Sequence, residues 1–160
     1  MVRVGNQKRL NDYLSLRRIA FSIFMLTISI EIFFAFLFLI FKDWLPTLYL
    51  ETDNVNKIAE NTEVIMIASK LLVIAALFQI FDGLQVVILG ALRGMQDVKI
   101  PTIITLVSYW LIGFPLCYYL GLYTPLKSLG IWIGLLASLA SASVMLYMRF
   151  NFLTNKLINK

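Results

Sequence analysis

The sequence predicts an all-α, polytopic membrane protein with four transmembrane helices. The 160 residues are 60% hydrophobic and only 14% charged, whereas soluble domains run at roughly 45–50% apolar and about 25% charged. A chain this short has much surface for its volume, and so few charges cannot cover it in water. Mean hydropathy is +0.83. Four separate stretches each reach the length of about 20 mostly apolar residues that a spanning helix needs.

Residues 1–18 form a basic arm. The first span covers 19–41 and carries Ser22, Thr27, Ser29 and Glu31 as its polar members. It follows charged residues and no small-residue cleavage site, so it reads as a span and not as a cleaved leader. Residues 42–70 form a loop. Within it Asp53 can cap an amphipathic lead-in helix whose Val55, Ile58, Ala59, Thr62 and Ile65 recur at helical spacing. The second span covers 71–92 and the following loop 93–101. The third span, 102–120, opens just after Pro101, where a missing N–H is harmless, and holds Gly113 and Pro115 inside it, where a kink is expected. A short loop, 121–127, leads to the fourth span, 128–148, and the tail is 149–160. In the fourth span Gly130, Gly134, Ser138 and Ala142 form a small-residue stripe that lets another helix approach closely.

Lysine and arginine set the orientation. The arm, the 93–101 loop and the tail together hold ten of them, and the 42–70 and 121–127 loops hold four. Both termini are therefore expected in the cytoplasm and the 42–70 loop outside. The basic arm is read as a topology signal, with no nucleic-acid partner. Trp44, Tyr49 and Tyr123 fall at the expected interfaces as belt anchors.

Enzyme chemistry is not expected. The sequence contains no histidine, so imidazole catalysis and ligation are excluded. Its single cysteine, Cys117, excludes an intrachain disulfide and reads as a small buried filler. There is no GxxxxGK, GxSxG or HExxH motif. No cofactor and no metal centre is expected.

The informative residues are the carboxylates inside the spans. Asp82 sits near the middle of the second span, where a charge costs on the order of 3 kcal/mol to insert. Gln79, Asp82 and Gln85 are spaced three apart and read as one polar stripe on an apolar helix, with the glutamines orienting the acid. Such a carboxylate can exchange a proton or hold a desolvated cation. Arg93 lies too far along the helix axis, roughly 16 Å at about 1.5 Å per residue, to neutralise it. Glu31, near the centre of the first span, is a supporting candidate with no polar stripe of its own. Tyr109 and Trp110, in the third span, offer aromatic faces to a cationic substrate.

From Leu77 to Phe150 several motifs follow one another in a specific order: Gln79, Asp82 and Gln85, then Leu92-Arg93-Gly94 with Asp97 and Pro101. Ser108-Tyr109-Trp110, Gly113 with Pro115, and Gly130-Ile131-Trp132 with Gly134 come next. This order resembles the multidrug and toxic compound extrusion (MATE) family. The start, Arg3-Val4-Gly5-Asn6 with Arg17, Arg18 and Ala20 beyond, resembles the cytoplasmic loop before that family's ninth helix. Lys8, Arg9, Leu10 and Asn11 stand where the family usually has glycines.

The resemblance implies a proton- or sodium-coupled antiporter of organic cations and drugs in the cell membrane, built from two six-helix lobes. This chain would then be the last four helices, part of a MATE-type C-terminal lobe. It would lack the preceding helices and be unable to transport alone. The family's acid of the tenth helix falls on Asp82. Phe78 stands where some sodium-coupled members have a tyrosine, which favours the proton as coupling ion. Two other readings compete: a non-transporting four-helix packing or assembly protein, and a small four-helix dimeric exporter using Glu31 as its acid.

Overall fold

The computed structural model describes residues 2–49 and 58–159. Helix α1 spans Val2–Arg9, α2 Tyr13–Phe41 and α3 Ile58–Gly94, with a short 3₁₀ turn at Leu45–Tyr49 between the last two. The third span is three pieces in one continuous rod: α4 (Lys99–Val107), a π-helical segment (Ser108–Gly113) and α5 (Phe114–Leu122). Helix α6 runs Ser128–Ile158. Among the described residues, four rods are long and apolar enough to cross a membrane.

The helices outrun the apolar stretches that announce them. The arm is helical, folding as α1 and the first turns of α2. Asn11 takes a left-handed conformation, φ 56°, between the two helices, and the Asp12 carboxylate accepts the Ser15 N–H at 3.0 Å as the cap of α2. Hydrogen bonding from the Ser15 side chain, and then from its N–H, holds the Asp12 carboxyl below the usual aspartate range. The lead-in helix and the second span are one rod, because no proline or turn signal interrupts the chain between Ile58 and Gly94. The Asp53 cap and Val55 lie outside the described residues. Helix α6 continues into the tail, where Thr154 is buried.

At Pro115 the helix changes its register. Its ring would clash with the carbonyl four residues back in an unbroken α-helix. The chain instead widens to a π register, in which the Phe114 N–H bonds the Tyr109 carbonyl five residues back.

Helix α6 lies between α3 and the third span, and α2 packs on α3. The small-residue stripe of α6 is the seam with the third span. The Leu120 backbone fills the space above Gly130, the Cys117 backbone and sulfur fill that above Gly134, and Ser138 fills that above Gly113. Ser138 and Ala142 are fully buried. Close backbone approach of this kind supplies the van der Waals contact that holds helices together in lipid. The Cys117 thiol, expected to be buried, is half-buried and lies 3.3 Å from the Ile131 carbonyl.

The tightest packing lies at the end bearing both termini. Val4, Leu16, Phe24, Leu92, Leu146 and Phe150 form its core. Arg17 donates to Asn155 at 2.7 Å, and Arg149 pairs with Asp97 at 2.8 Å, tying the α3–α4 loop to α6. Helix α3 ends in a Schellman turn: Gln96 is left-handed, φ 62°, with Gln96 N–H on the Arg93 carbonyl and Asp97 N–H on the Leu92 carbonyl. The Lys8 ammonium donates to the Met95 carbonyl and to the Gln96 amide oxygen of that turn. At the opposite end Ser69 donates to Asp43, and Trp44, Tyr49 and Tyr123 are exposed.

Candidate functional site

Three residues of spacing along an α-helix leave each side chain about 60° from the last, so a run of three fans over roughly 120°. Helix α3 uses that fan. Gln79 turns toward α2 and donates from Nε2 to the Glu31 backbone carbonyl at 2.9 Å. Gln85 turns the other way and is 7% exposed, its Oε1 accepting the Tyr109 hydroxyl at 3.2 Å. Asp82 stands between these two ties, exposed on the face the four rods leave open, with no hydrogen bond or ion pair among the described residues. Both amides thus fix α3 to its neighbours, and neither reaches Asp82.

Glu31 is nearer to this stripe than its own helix suggests. Its carboxyl lies over Gly83, in the space a β-carbon there would need. The side chain is half-buried against α3, directly beside the residue that follows Asp82. Two acids from two helices therefore flank one stretch of α3. Next to them, an apolar cavity of about 300 Å³ runs between α2 and α3, walled by Ile32, Ala35, Phe36, Val73, Ala76 and Ile80. It has no polar lining and can hold only apolar matter. Among the described residues no three acidic or cysteine side chains gather as a metal site.

The two aromatics of the third span part company. Tyr109 is turned to Gln85 by the π segment, while Trp110 is 66% exposed with its ring 6.0 Å from that of Phe114. Phe78, one turn from Asp82, packs edge-on against Trp132 of α6 with centroids 5.8 Å apart.

Two features of the site escaped the sequence reading. Gly83 is one, and a glycine beside an intramembrane acid was its available signal, since a missing β-carbon admits a neighbouring chain. The π segment is the other, signalled by Pro115 two residues after Gly113.

Chemically, the arrangement presents the Asp82 carboxylate exposed at mid-span on a helix tied to both neighbours, with the half-buried Glu31 carboxyl over the next residue.

A family model described as MatE matches residues 1–119. The chain is 36% identical over 156 residues to a probable multidrug resistance protein NorM of Xylella fastidiosa (strain 9a5c), covering 98% of this chain and 31% of that protein. It is 34% identical over 155 residues to a probable multidrug resistance protein NorM of Agrobacterium fabrum, covering 97% and 32%. The multidrug resistance protein NorM of Burkholderia vietnamiensis is 44% identical over 111 residues, covering 69% and 23%. The chain thus spans about a third of the length of the first of these relatives.

Proposed function

This chain is an integral membrane protein of the MatE family, and from that premise we propose that it is the C-terminal four-helix portion of a multidrug efflux antiporter. Asp82 is the residue that binds the coupling ion. The supporting observation is its placement: a mid-span carboxylate with no partner among the described residues, exposed on the open face of the bundle. A lone carboxylate facing lipid would be costly, so that face belongs against protein or a watery cavity. In a protein three times as long, the preceding helices supply that wall.

The mechanism follows from competition for one carboxylate. A proton from outside, or a sodium ion, neutralises Asp82. An organic cation from the cytoplasm takes the same carboxylate when the ion leaves. Binding one weakens the other, and that reciprocal weakening is the coupling. The proton is the favoured ion, because Phe78 provides no oxygen one turn from the acid and its ring is engaged with Trp132. Gln79 and Gln85 act as ties that keep α3 in place, and Tyr109 completes the second tie. Glu31 flanks the acid from α2, and Trp110 offers an exposed aromatic face to a cation. Both termini and the 93–101 loop lie in the cytoplasm, in keeping with the excess of Lys and Arg there.

Alternating access needs two repeats rocking about a shared site. On this reading the 160 residues correspond to part of one lobe, and by themselves are expected not to transport.

The test is Asp82→Asn in a transport-competent protein carrying this sequence. Efflux of a fluorescent organic cation driven by a pH or sodium gradient should be abolished while the protein still inserts. Unchanged gradient-driven efflux would refute the assignment.

A further inference from the structure

At the end bearing both termini, α1 and the Schellman turn of α3 enclose a groove of about 350 Å³ walled by Val2, Asn6, Lys8, Arg9, Gly94 and Gln96. Its floor is backbone on backbone: a β-carbon on Gly5 would touch the Gly94 carbonyl at 3.4 Å. Its charge is one-sided. Lys8 reaches only neutral oxygens, those of Met95 and Gln96, so its charge stays uncompensated. Arg3, Arg9, Arg93 and Lys99 make no side-chain hydrogen bond or ion pair among the described residues. The acids of this end are already engaged, Asp12 in capping α2 and Asp97 in pairing with Arg149.

Depth decides what kind of anion fits. Gly94 lies two residues beyond Leu92, where the apolar run of α3 ends, and the apolar run of α2 begins at Ile19. The groove is therefore level with the lipid headgroups. Val2 and Leu10, 76% and 72% exposed, stand beside the cations. Side chains of that kind suit the boundary between headgroup and acyl chain and would be poorly placed in bulk water.

We propose that this groove is a binding site for the headgroup of an anionic phospholipid. The phosphodiester oxygens accept from the Arg9 guanidinium and the Lys8 ammonium, and the Asn6 and Gln96 amides complete the donor set. A lipid held there bridges α1 to the end of α3 and fixes the short helix to the membrane face of the bundle. The site stands apart from Asp82 and is independent of any transport role.

The experiment places the full chain in nanodiscs of phosphatidylcholine, with and without about a quarter replaced by phosphatidylglycerol. Retained lipid is read by native mass spectrometry and the midpoint of thermal unfolding is followed. Phosphatidylglycerol should be retained and raise the midpoint. Arg9→Gln should weaken its retention about fivefold, and Lys8→Gln with Arg9→Gln about 25-fold. Lys156→Gln, a charge of the same end outside the groove, should leave it unchanged. Because Lys8 also holds the Met95 carbonyl, Arg9→Gln is the deciding variant. Undiminished retention in Arg9→Gln would overturn the site, and an equal loss in Lys156→Gln would reduce it to diffuse surface charge. Equal stabilisation by inorganic phosphate in phosphatidylcholine alone would make it a soluble-anion site and overturn the lipid assignment.

Discussion

The hydroxyl of Tyr109 donates to the side-chain oxygen of Gln85 across the gap between the third span and α3, at 3.2 Å. Gln85 is nearly buried, so this bond satisfies a largely buried side-chain acceptor. Tyr109→Phe removes the donor and keeps the ring. It should destabilise the bundle by about 1 kcal/mol, read from unfolding in mixed micelles. A stability equal to the parent's would show that Gln85 finds another partner.

The glycines of the bundle differ in what stands over them. Over Gly130 and Gly134 it is the backbone of Leu120 and Cys117, which cannot move aside. Over Gly83 it is the flexible carboxyl end of Glu31. Gly134→Ala and Gly130→Ala should each cost about 2 kcal/mol by forcing α6 from the third span. Gly83→Ala should cost well under half of that, while turning Glu31 away from α3. A comparison of the three unfolding midpoints checks the order.

Lys127 has φ 48° and ψ −118°, with the Leu129 N–H on the Leu126 carbonyl at 3.0 Å. That is the first central position of a type II′ turn, where glycine is favoured and a β-carbon is strained. Lys127→Gly should stabilise the chain by about 1 kcal/mol. A destabilised variant would mean the lysine side chain contributes more than the strain costs.

Arg149 and Asp97 pair at 2.8 Å with side chains 22% and 15% exposed. Partial burial makes this pair worth more than a surface one. A double-mutant cycle with Arg149→Ala and Asp97→Ala should give a coupling of about 1 kcal/mol that shrinks with added salt. A coupling near zero would assign the loop's position to the Schellman turn alone.

Asp12 gives the fold a pH dependence of known sign. Its folded carboxyl is held below the ordinary aspartate range by hydrogen bonding from the Ser15 side chain and then from the Ser15 N–H. The cap therefore contributes fully above the unfolded value and is lost as pH falls through the folded one. Asp12→Ala should lower stability at neutral pH and make no difference in strong acid. Equal losses at both pH values would show that the carboxylate is not the capping group.

Composition and pattern carried the class of the protein a long way. Four apolar runs need no tertiary information to be read as spans, because lipid demands that every backbone group be bonded within its own helix. The stripe Gly130, Gly134, Ser138 and Ala142 was legible too: small residues at a period of four share one helix face and let another helix approach closely. Its partner was not. Which backbone comes to lie on Gly130 and Gly134 depends on how the third span sits, and nothing in the spacing of α6 names Leu120 or Cys117.

At the candidate site the division is sharper. The positions of Gln79, Asp82 and Gln85 on one helix follow from their numbers alone, and so does the rarity of an acid at that depth. Their partners do not, because a fan of about 120° on one helix meets whatever the neighbouring helices present. Only the packed bundle turned Gln79 to α2 and Gln85 to Tyr109, left Asp82 facing outward, and brought Glu31 over Gly83. The π segment belongs with these. Proline forbids the ordinary ladder at one point, and the contact of Gly113 with Ser138 accompanies the one wider turn that resolves it. Local chemistry along the chain chose the helices and their solvent. The choice of which side chain meets which was left to the mutual fit of helices distant in sequence, and that fit exists only once all four stand together.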